Sequence, residues 1–369
     1  MTSGGVYIHI PFCVKKCAYC SFFSEKSSPE VIDKYVDELC REITMFAKKN
    51  GEVSAKTIYI GGGTPSVLNL CQIEKIFNAL YNNFKIDSPE ITIEVNPNSA
   101  NLFKEYSSLG INRISIGIQS LSDDYLKRLG RLHTRNEGIQ ALEAANKYFN
   151  NISADLIIGI DENQKPEKDF IELKQYIKHL SAYMLTVEKG TPLSAMILNK
   201  KVSVATEDSA VDQYNNLLQI CEENGFIRYE TSNFSLKNYE SRHNSSYWNL
   251  TPYIGFGPGA HSYWNGERFF NEPNLNNYLH GEHIGENKAV SERKKSVSED
   301  KNEFVMLSLR TVKGIDLKLY REKFGVDFFT DYGNKIKTAE KYLFIDDKSI
   351  NILPRFFLLQ NSVIEKIIF

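Results

Sequence analysis

The sequence predicts an α/β protein: a parallel sheet, open or closed on itself, followed by a smaller α+β, winged-helix-like appendage. Three observations lead there. Short apolar strands alternate with helical segments through about six steps over roughly the first 190 residues, the pattern of βαβ units. The strands carry aliphatic residues on one face and polar or aromatic ones on the other. Apolar periodicity then lapses over 271–301 and returns from Glu303 to Phe369.

Val6-Tyr7-Ile8-His9-Ile10 reads as the first strand. A helix follows near Pro29–Lys48, where Ile32, Tyr35, Val36, Leu39, Ile43 and Phe46 share one stripe. Thr57–Ile60 is the second strand and runs into Gly61-Gly62-Gly63-Thr64-Pro65. The next helix, near Leu70–Phe84, turns Ile73, Ile76, Phe77 and Leu80 inward. Further strands read at Ile91–Val95, Ile114–Ile118, Ala154–Ile158 and Ala182–Val187. From Thr206 the period changes and Tyr214–Asn224 reads as a helix, followed by a Gly- and aromatic-rich stretch from Tyr247 to Trp264. The polar run 271–301 is the linker candidate, and the chain divides into 1–200, 201–290 and 291–369.

A parallel strand buried on both faces reads as a continuous apolar run. Here Tyr7, His9, Glu94, Ser115, Gly117 and Gln119 fall on one side of the sheet by the period-2 rule. If the sheet curls, that side is a polar lumen able to hold a ligand. The aliphatic face takes the helices.

Apolar residues make up 42% and charged residues 24%, the balance of a soluble globular protein. A net charge of -2 gives no reason to expect nucleic acid or an anionic membrane as an obligatory partner. No apolar run approaches the ~20 residues of a transmembrane helix, and Met1–Gly5 is too short for a signal peptide. At most a peripheral membrane association is expected. Cysteines clustered on one loop without an export signal point to a reducing cytoplasm.

Three of the six cysteines, Cys13, Cys17 and Cys20, lie within eight residues directly after the first strand. Three thiolates on one loop can converge on a soft metal centre and leave one coordination position open. Cys40, Cys71 and Cys221 are single and far apart, which fits neither a half zinc site completed elsewhere nor a disulfide with a spare thiol. The spacing favours an iron–sulfur site. The glycine run Gly61-Gly62-Gly63 sits where a strand ends, and backbone without Cβ can approach a ligand and expose its amides. It is neither a dinucleotide fingerprint nor a P-loop, and a tight turn would account for it equally.

Together these motifs resemble the radical S-adenosylmethionine (SAM) superfamily. Its C-x3-C-x2-C loop is Cys13, Cys17 and Cys20 here, and its Gly-Gly-Glu-Pro-type loop resembles Gly62-Gly63-Thr64-Pro65. The resemblance implies a partial (β/α)6 barrel in which the cysteines hold a [4Fe–4S] cluster and SAM chelates the fourth iron. It narrows toward oxygen-independent coproporphyrinogen III oxidases and their relatives through Tyr7-Ile8-His9-Ile10-Pro11-Phe12-Cys13, Glu94-Val95-Asn96-Pro97, Ser115–Ser120, Arg128-Leu129-Gly130-Arg131 and Asp155-Leu156-Ile157. On that resemblance Tyr7, the backbone around Tyr19, Gly62, Gly63, Thr64 and Glu94 surround SAM, and Gln119, Arg131 and Asp155 complete its site. A carboxylate and an amide facing the lumen suit an ammonium and hydroxyls, and Arg131 suits a carboxylate.

Two departures separate this chain from the oxidases, which carry a cysteine at the position of Phe22 and a long extension ahead of the cluster loop. Both are shared with HemW-type heme chaperones. His243-Asn244-Ser245-Ser246-Tyr247-Trp248 is similar to the H-N-x-x-Y-W signature tied to heme binding in that group. Neutral imidazole is a common heme ligand, which makes His243 the candidate. Tyr253–Ser262 also resembles the family and reads as a tight turn near the barrel mouth, with His261 structural. Gly159-Ile160-Asp161 departs from the family's Gly-Leu-Pro, and Arg355 replaces a frequent glycine.

The resemblance therefore implies a heme chaperone that binds a [4Fe–4S] cluster, SAM and heme, and passes heme to recipient hemoproteins. An electron donor is implied if SAM is cleaved. The alternative is a radical enzyme that oxidatively decarboxylates coproporphyrinogen III, cleaving SAM to methionine and a 5′-deoxyadenosyl radical.

Overall fold

β1 (Thr2–Ile10) starts earlier than its apolar run, because Ser3 and Gly4 pair with Ser54 and Ala55 at the foot of β2 (Val53–Gly62). The structure, a computed structural model, describes residues 2–281, 289–291 and 296–369. Between these strands runs α1 (Pro29–Asn50), which buries Ile32, Tyr35, Val36, Leu39 and Ile43. Then follow α2 (Leu70–Asn83), β3 (Lys85–Val95), α3 (Phe103–Ser108) and β4 (Arg113–Gln119). The Asn69 side chain and Gln72 close a capping box on α2, satisfying amides that the first turn leaves open. Next come α4 (Asp123–Leu129), α5 (Arg135–Ala145), β5 (Asn151–Ile158), α6 (Pro166–Leu173) and β6 (His179–Met184). The predicted strand at Ala182–Val187 lies three residues earlier in sequence, since His179 and Ser181 are polar and face inward.

β1 to β6 are parallel and adjacent in chain order, as five successive βαβ crossovers require. The sheet does not stop there. After α7 (Pro192–Leu198) and α8 (Glu207–Glu223), the short β7 (Ile227–Arg228) and β8 (Asn233–Ser235) add antiparallel beside β6. α9 (Arg242–Trp248) carries the H-N-x-x-Y-W motif. β9 (Tyr253–Phe256) then pairs in parallel with the free edge of β1, and β10 (His261–Trp264) and β11 (Glu267–Asn271) continue antiparallel. The expected turn over Tyr253–Ser262 is therefore two strands around the bend 257–260. Gly5–Ile8 on the exposed flank of β1 supplied the partner that made Tyr253–Phe256 a strand.

The linker candidate 271–301 holds α10 (Leu275–Leu279), β12 (Ala289–Ser291) on the sheet edge beside β11, and the start of α11 (Val297–Ser308). Its remaining parts at 282–288 and 292–295 lie outside the described residues. The C-terminal part completes with β13 (Ile315–Asp316), α12 (Leu317–Phe324), α13 (Phe328–Ala339), β14 (Leu343–Ile345), β15 (Ser349–Ile352) and α14 (Gln360–Ile368). Its small antiparallel sheet, β13-β15-β14, and its helices close over their own core of Phe304, Tyr320, Phe328, Ile350 and Ile364. This is the helical unit with a small sheet that the apolar periodicity of 303–369 predicts. It docks on the β7–β8 end of the large sheet, where Arg228 lies 4.0 Å from the Phe357 ring centre and Thr231 donates to Gln360 at 3.1 Å.

The aliphatic faces of the strands, Ile58, Ile93, Ile114, Ile116 and Ala154 among them, pack under the helices in one continuous core. The opposite face is the polar lumen. Among the described residues no helix is long and apolar enough to cross a membrane.

Candidate functional site

The cysteine loop leaves β1 at the C-terminal ends of the parallel strands, where α/β folds place their sites. Backbone bonds anchor it on both sides. Cys13 N–H donates to Glu25 O at 3.1 Å, Ala18 N–H to Leu129 O at 2.9 Å, and Leu193 N–H to Ala18 O at 2.8 Å. Gly130 of the Arg128-Leu129-Gly130-Arg131 motif owes its residue type to this contact. Gly130 ends α4 in the left-handed region at φ 76°, and a Cβ there would stand 3.2 Å from Ala18 N. The chain can thus turn to bring Arg131 under the loop.

All three cysteine thiols are free and border one cavity of about 360 Å³. Two side chains donate to their sulfurs, Thr64 Oγ1 to Cys13 and Arg131 Nη1 to Cys17, both at 3.4 Å. Burial pushes the Cys20 thiol above its ordinary range. Arg131 also donates to Asn96 Oδ1 at 2.6 Å and to Gly117 O at 2.7 Å, while its buried Nε has no partner. The side chain expected to meet a carboxylate is thus shared among the Cys17 sulfur, Asn96 and the Gly117 carbonyl.

Of the residues the resemblance assigns to SAM, Tyr19, Gly62, Gly63, Thr64, Glu94, Gln119, Arg131 and Asp155 line the same cavity as the cysteines. Tyr7 does not; its hydroxyl bonds His9 Nδ1 at 2.9 Å and it borders two neighbouring cavities. The glycine loop also differs from its expected use. Gly62 N–H donates to Glu94, Gly63 N–H to Ile10 O and Thr64 N–H to Phe12 O. The Gly63 and Thr64 amides fasten the loop to the root of the cysteine loop, and the Gly62 amide holds the Glu94 carboxyl. Gln119 sits at φ 66°, beyond an irregularity in the β4–β5 register after Ile116. Such a bulge re-aims a side chain at a strand end.

Glu94 is the charged centre of the cavity wall. Tyr59 donates to it at 2.6 Å and Gly62 N–H at 3.2 Å, yet burial lifts its carboxyl to about 7. Asp155, held by Ser115 at 3.1 Å, is raised by burial as well. Two desolvated carboxyls in one pocket suit a cationic ligand. Asn96, Tyr59 and Tyr183 escaped the sequence reading. Asn96 lies inside the quoted Glu-Val-Asn-Pro motif, and period-2 alternation along Thr57–Ile60 offered the only other signal.

A second cavity of about 470 Å³ adjoins the first, sharing Glu94 and Tyr183. Glu230, lifted to about 7 by burial, borders it, and so do Asn233 and Trp248, whose Oδ1 and Nε1 are buried without partners.

His243 sits on α9 and is 1% exposed. Its Nδ1 bonds Thr57 Oγ1 and its Nε2 bonds Tyr247 Oη, each at 2.8 Å, and its ring stacks on Tyr59 at 5.0 Å. Burial pushes its pKa down to about 3, so the ring is neutral. The helix start is held by Glu90, which accepts from Arg242 N–H at 3.1 Å and His243 N–H at 2.9 Å. A carboxylate at a helix N-terminus satisfies open amides and opposes the helix dipole. Replacing Glu90 by Ala is expected to cost about 3 kcal/mol, two charge-assisted bonds in a buried place. Thermal unfolding measures it, and a change within about 0.5 kcal/mol would remove Glu90 as the anchor.

Comparison with known proteins gives the family and the fold. Residues 7–174 match the radical SAM superfamily, and residues 298–349 match the HemN C-terminal domain. The protein named heme chaperone HemW of Lactococcus lactis subsp. lactis is 33% identical, over 98% of this chain and 96% of its own length. That of Bacillus subtilis is 32% identical over 86% of each chain. The solved structure of Escherichia coli coproporphyrinogen III oxidase, HemN, superimposes with a TM-score of 0.85 at 20% identity, covering 99% of this chain and 90% of that one. The chain belongs to the radical SAM superfamily and, within it, to the heme chaperone HemW family.

Proposed function

We propose that the chain holds a [4Fe–4S] cluster on Cys13, Cys17 and Cys20, binds SAM beside it, and carries heme to recipient hemoproteins. The observation that carries the first part is that the cysteines share one cavity with Glu94, Gln119, Arg131 and Asp155. The residues fit the group. Sulfur is the donor type for an iron–sulfur cluster, and Thr64 and Arg131 already donate to two of the sulfurs, which favours thiolate. When bound, the cluster supplies an electron for reductive cleavage of SAM, and such cleavage needs an external electron donor. Glu94 accepts the SAM ammonium, Gln119 and Asp155 take its polar edges, and the buried Arg131 balances thiolate charge. Tyr59 fixes the Glu94 carboxyl through its 2.6 Å hydrogen bond.

For heme, the support is the family name and the H-N-x-x-Y-W helix, with His243 as its nominated ligand. Its neutral imidazole is the ligating form, but both ring nitrogens are occupied. Iron ligation by Nε2 requires the Tyr247 hydroxyl to move away. Anaerobic reconstitution with iron and sulfide, followed by heme titration and a 5′-deoxyadenosine assay, tests the reading. Tight heme binding without turnover of coproporphyrinogen III is expected. Equal binding by His243→Ala would remove His243 as ligand, and protoporphyrinogen formation at catalytic turnover would make the protein a decarboxylase.

A further inference from the structure

A groove of about 260 Å³ that none of the roles above uses borders the cysteine loop. Lys15, Cys17, Thr64, Asn96 and Arg131 border both this groove and the cysteine cavity, so one wall of side chains divides the two. Arg131 holds that wall together through Cys17 Sγ at 3.4 Å and Asn96 Oδ1 at 2.6 Å. Glu94 and Asp155 line the cavity and not the groove. The groove is therefore a second approach to Cys17, apart from the lumen carboxyls. The other flanks of the loop are covered. Ala18 is bonded between Leu129 and Leu193, and Cys13 is tied to Glu25.

The groove has the make-up of a contact surface. Val14 is 60% exposed and Leu132 is 55% exposed, two large apolar side chains left in water on the cysteine loop and just beyond α4. Lys15 is exposed beside Val14, and Lys16 next to it is exposed and bonded to the Phe22 carbonyl at 2.8 Å. The charges that line the groove are Lys15 and Arg131. His133 is neutral, since burial pushes its pKa down to about 4, and no Asp or Glu lines the groove.

We propose that a small acidic protein, a one-electron carrier, docks over this groove and reduces the cluster by way of Cys17. The proposal rests on the cluster reading above and gives its electron a side of entry. The carrier loses one electron and the cluster gains it; no bond forms or breaks and no proton moves. A protein cannot enter the 360 Å³ cavity where SAM is placed, and electron tunnelling falls off steeply with distance. The carrier must therefore dock where a cluster thiolate comes near the surface. Cationic side chains without acidic neighbours in the groove steer an acidic partner to that place. Transient electron-transfer contacts bury less than about 1,200 Å², so two apolar side chains with a polar rim suffice as their core. The exposed amides of Asn98 and Asn101 offer that rim donors for carboxylates.

Stopped-flow reduction of the reconstituted protein tests this, with reduced flavodoxin as the acidic carrier and dithionite as a small reductant that needs no docking. Wild type is compared with Lys15→Glu, Leu132→Glu and Lys337→Glu, the last an exposed charge control on α13. Calorimetry measures the binding of oxidised flavodoxin to each. Flavodoxin is expected to bleach the wild-type cluster at a rate that falls steeply with added salt. Lys15→Glu and Leu132→Glu should slow that step at least tenfold and weaken flavodoxin binding, while Lys337→Glu behaves as wild type. Iron content and the dithionite rate should be equal in all four, which separates a docking defect from a folding or cluster defect. Wild-type flavodoxin rates and affinity in both groove variants would overturn the docking face and leave the cluster reading intact. A wild-type chain that assembles no cluster would overturn both.

Discussion

Replacing Glu94 by Gln is expected to weaken SAM binding by ten- to a hundredfold and, at the same time, to stabilise the ligand-free protein at alkaline pH. The carboxyl is lifted to about 7 by burial, above its ordinary value of 4.5. A folded-state pKa above the unfolded one means stability that is full below the unfolded pKa and is lost as pH rises through the folded value. From about pH 4.5 to 8 the ligand-free protein therefore gives up stability at this position. The cavity admits water, so about 1–3 kcal/mol is the expected scale. Gln removes that loss, and the unfolding temperature of the variant should exceed wild type at pH 8 and match it near pH 5. Glu230, also lifted to about 7, keeps part of the slope in both proteins.

Binding follows the opposite sign. An ammonium pairs with ionised Glu94, so SAM affinity should rise as pH passes through 7 and then level off. The Gln variant should show no such rise. Calorimetric titration across pH 5.5–8.5 measures both. An unchanged affinity in Glu94→Gln would mean that the ammonium is held elsewhere in the cavity.

Replacing Gly63 by Ala is expected to cost on the order of 3 kcal/mol and most of the cluster. A Cβ at that position would stand 2.6 Å from Phe12 O, 2.9 Å from Ile10 O and 3.0 Å from Phe12 N. All three are backbone atoms of the segment that leads from β1 into Cys13, and backbone cannot swing aside as a long side chain can. The Gly63 N–H to Ile10 O bond at 2.8 Å and the Thr64 N–H to Phe12 O bond at 2.8 Å would stretch, and Thr64 would draw away from Cys13. Iron content per chain after reconstitution, together with the unfolding temperature, reads the effect. Full iron loading at an unchanged unfolding temperature would show that the loop is not the brace described here.

Much of the site was legible because its signals are local. The spacing of Cys13, Cys17 and Cys20 follows from one loop, and the period-2 pattern of Ile91–Val95 and Ile114–Ile118 needs only a strand. Other features were hidden. Tyr253–Phe256 looked like a turn because its glycines mark bends, and its strand exists only because β1 had an unpaired edge. His179 and Ser181 looked too polar for a strand start, although His179 is satisfied by Ser153 at 2.7 Å and Tyr229 at 2.8 Å across the lumen. Glu90 gave no signal at all, since its partners lie more than 150 residues away on α9.

What the sequence determined by itself is the order of six strand–helix units, the loop that carries three thiols, the position of a glycine loop after β2 and the polar face that becomes a lumen. Each of these depends on the periodicity and backbone freedom of a short segment. The tertiary structure alone decided which groups meet. It turned Arg131 onto Cys17 across 114 residues, moved Tyr7 out of the cysteine cavity, and closed both nitrogens of His243, one of them on Thr57 at a separation of 186 residues. Such pairings follow from sheet register and curvature, which are set by the packing of the whole barrel and not by any one segment of chain.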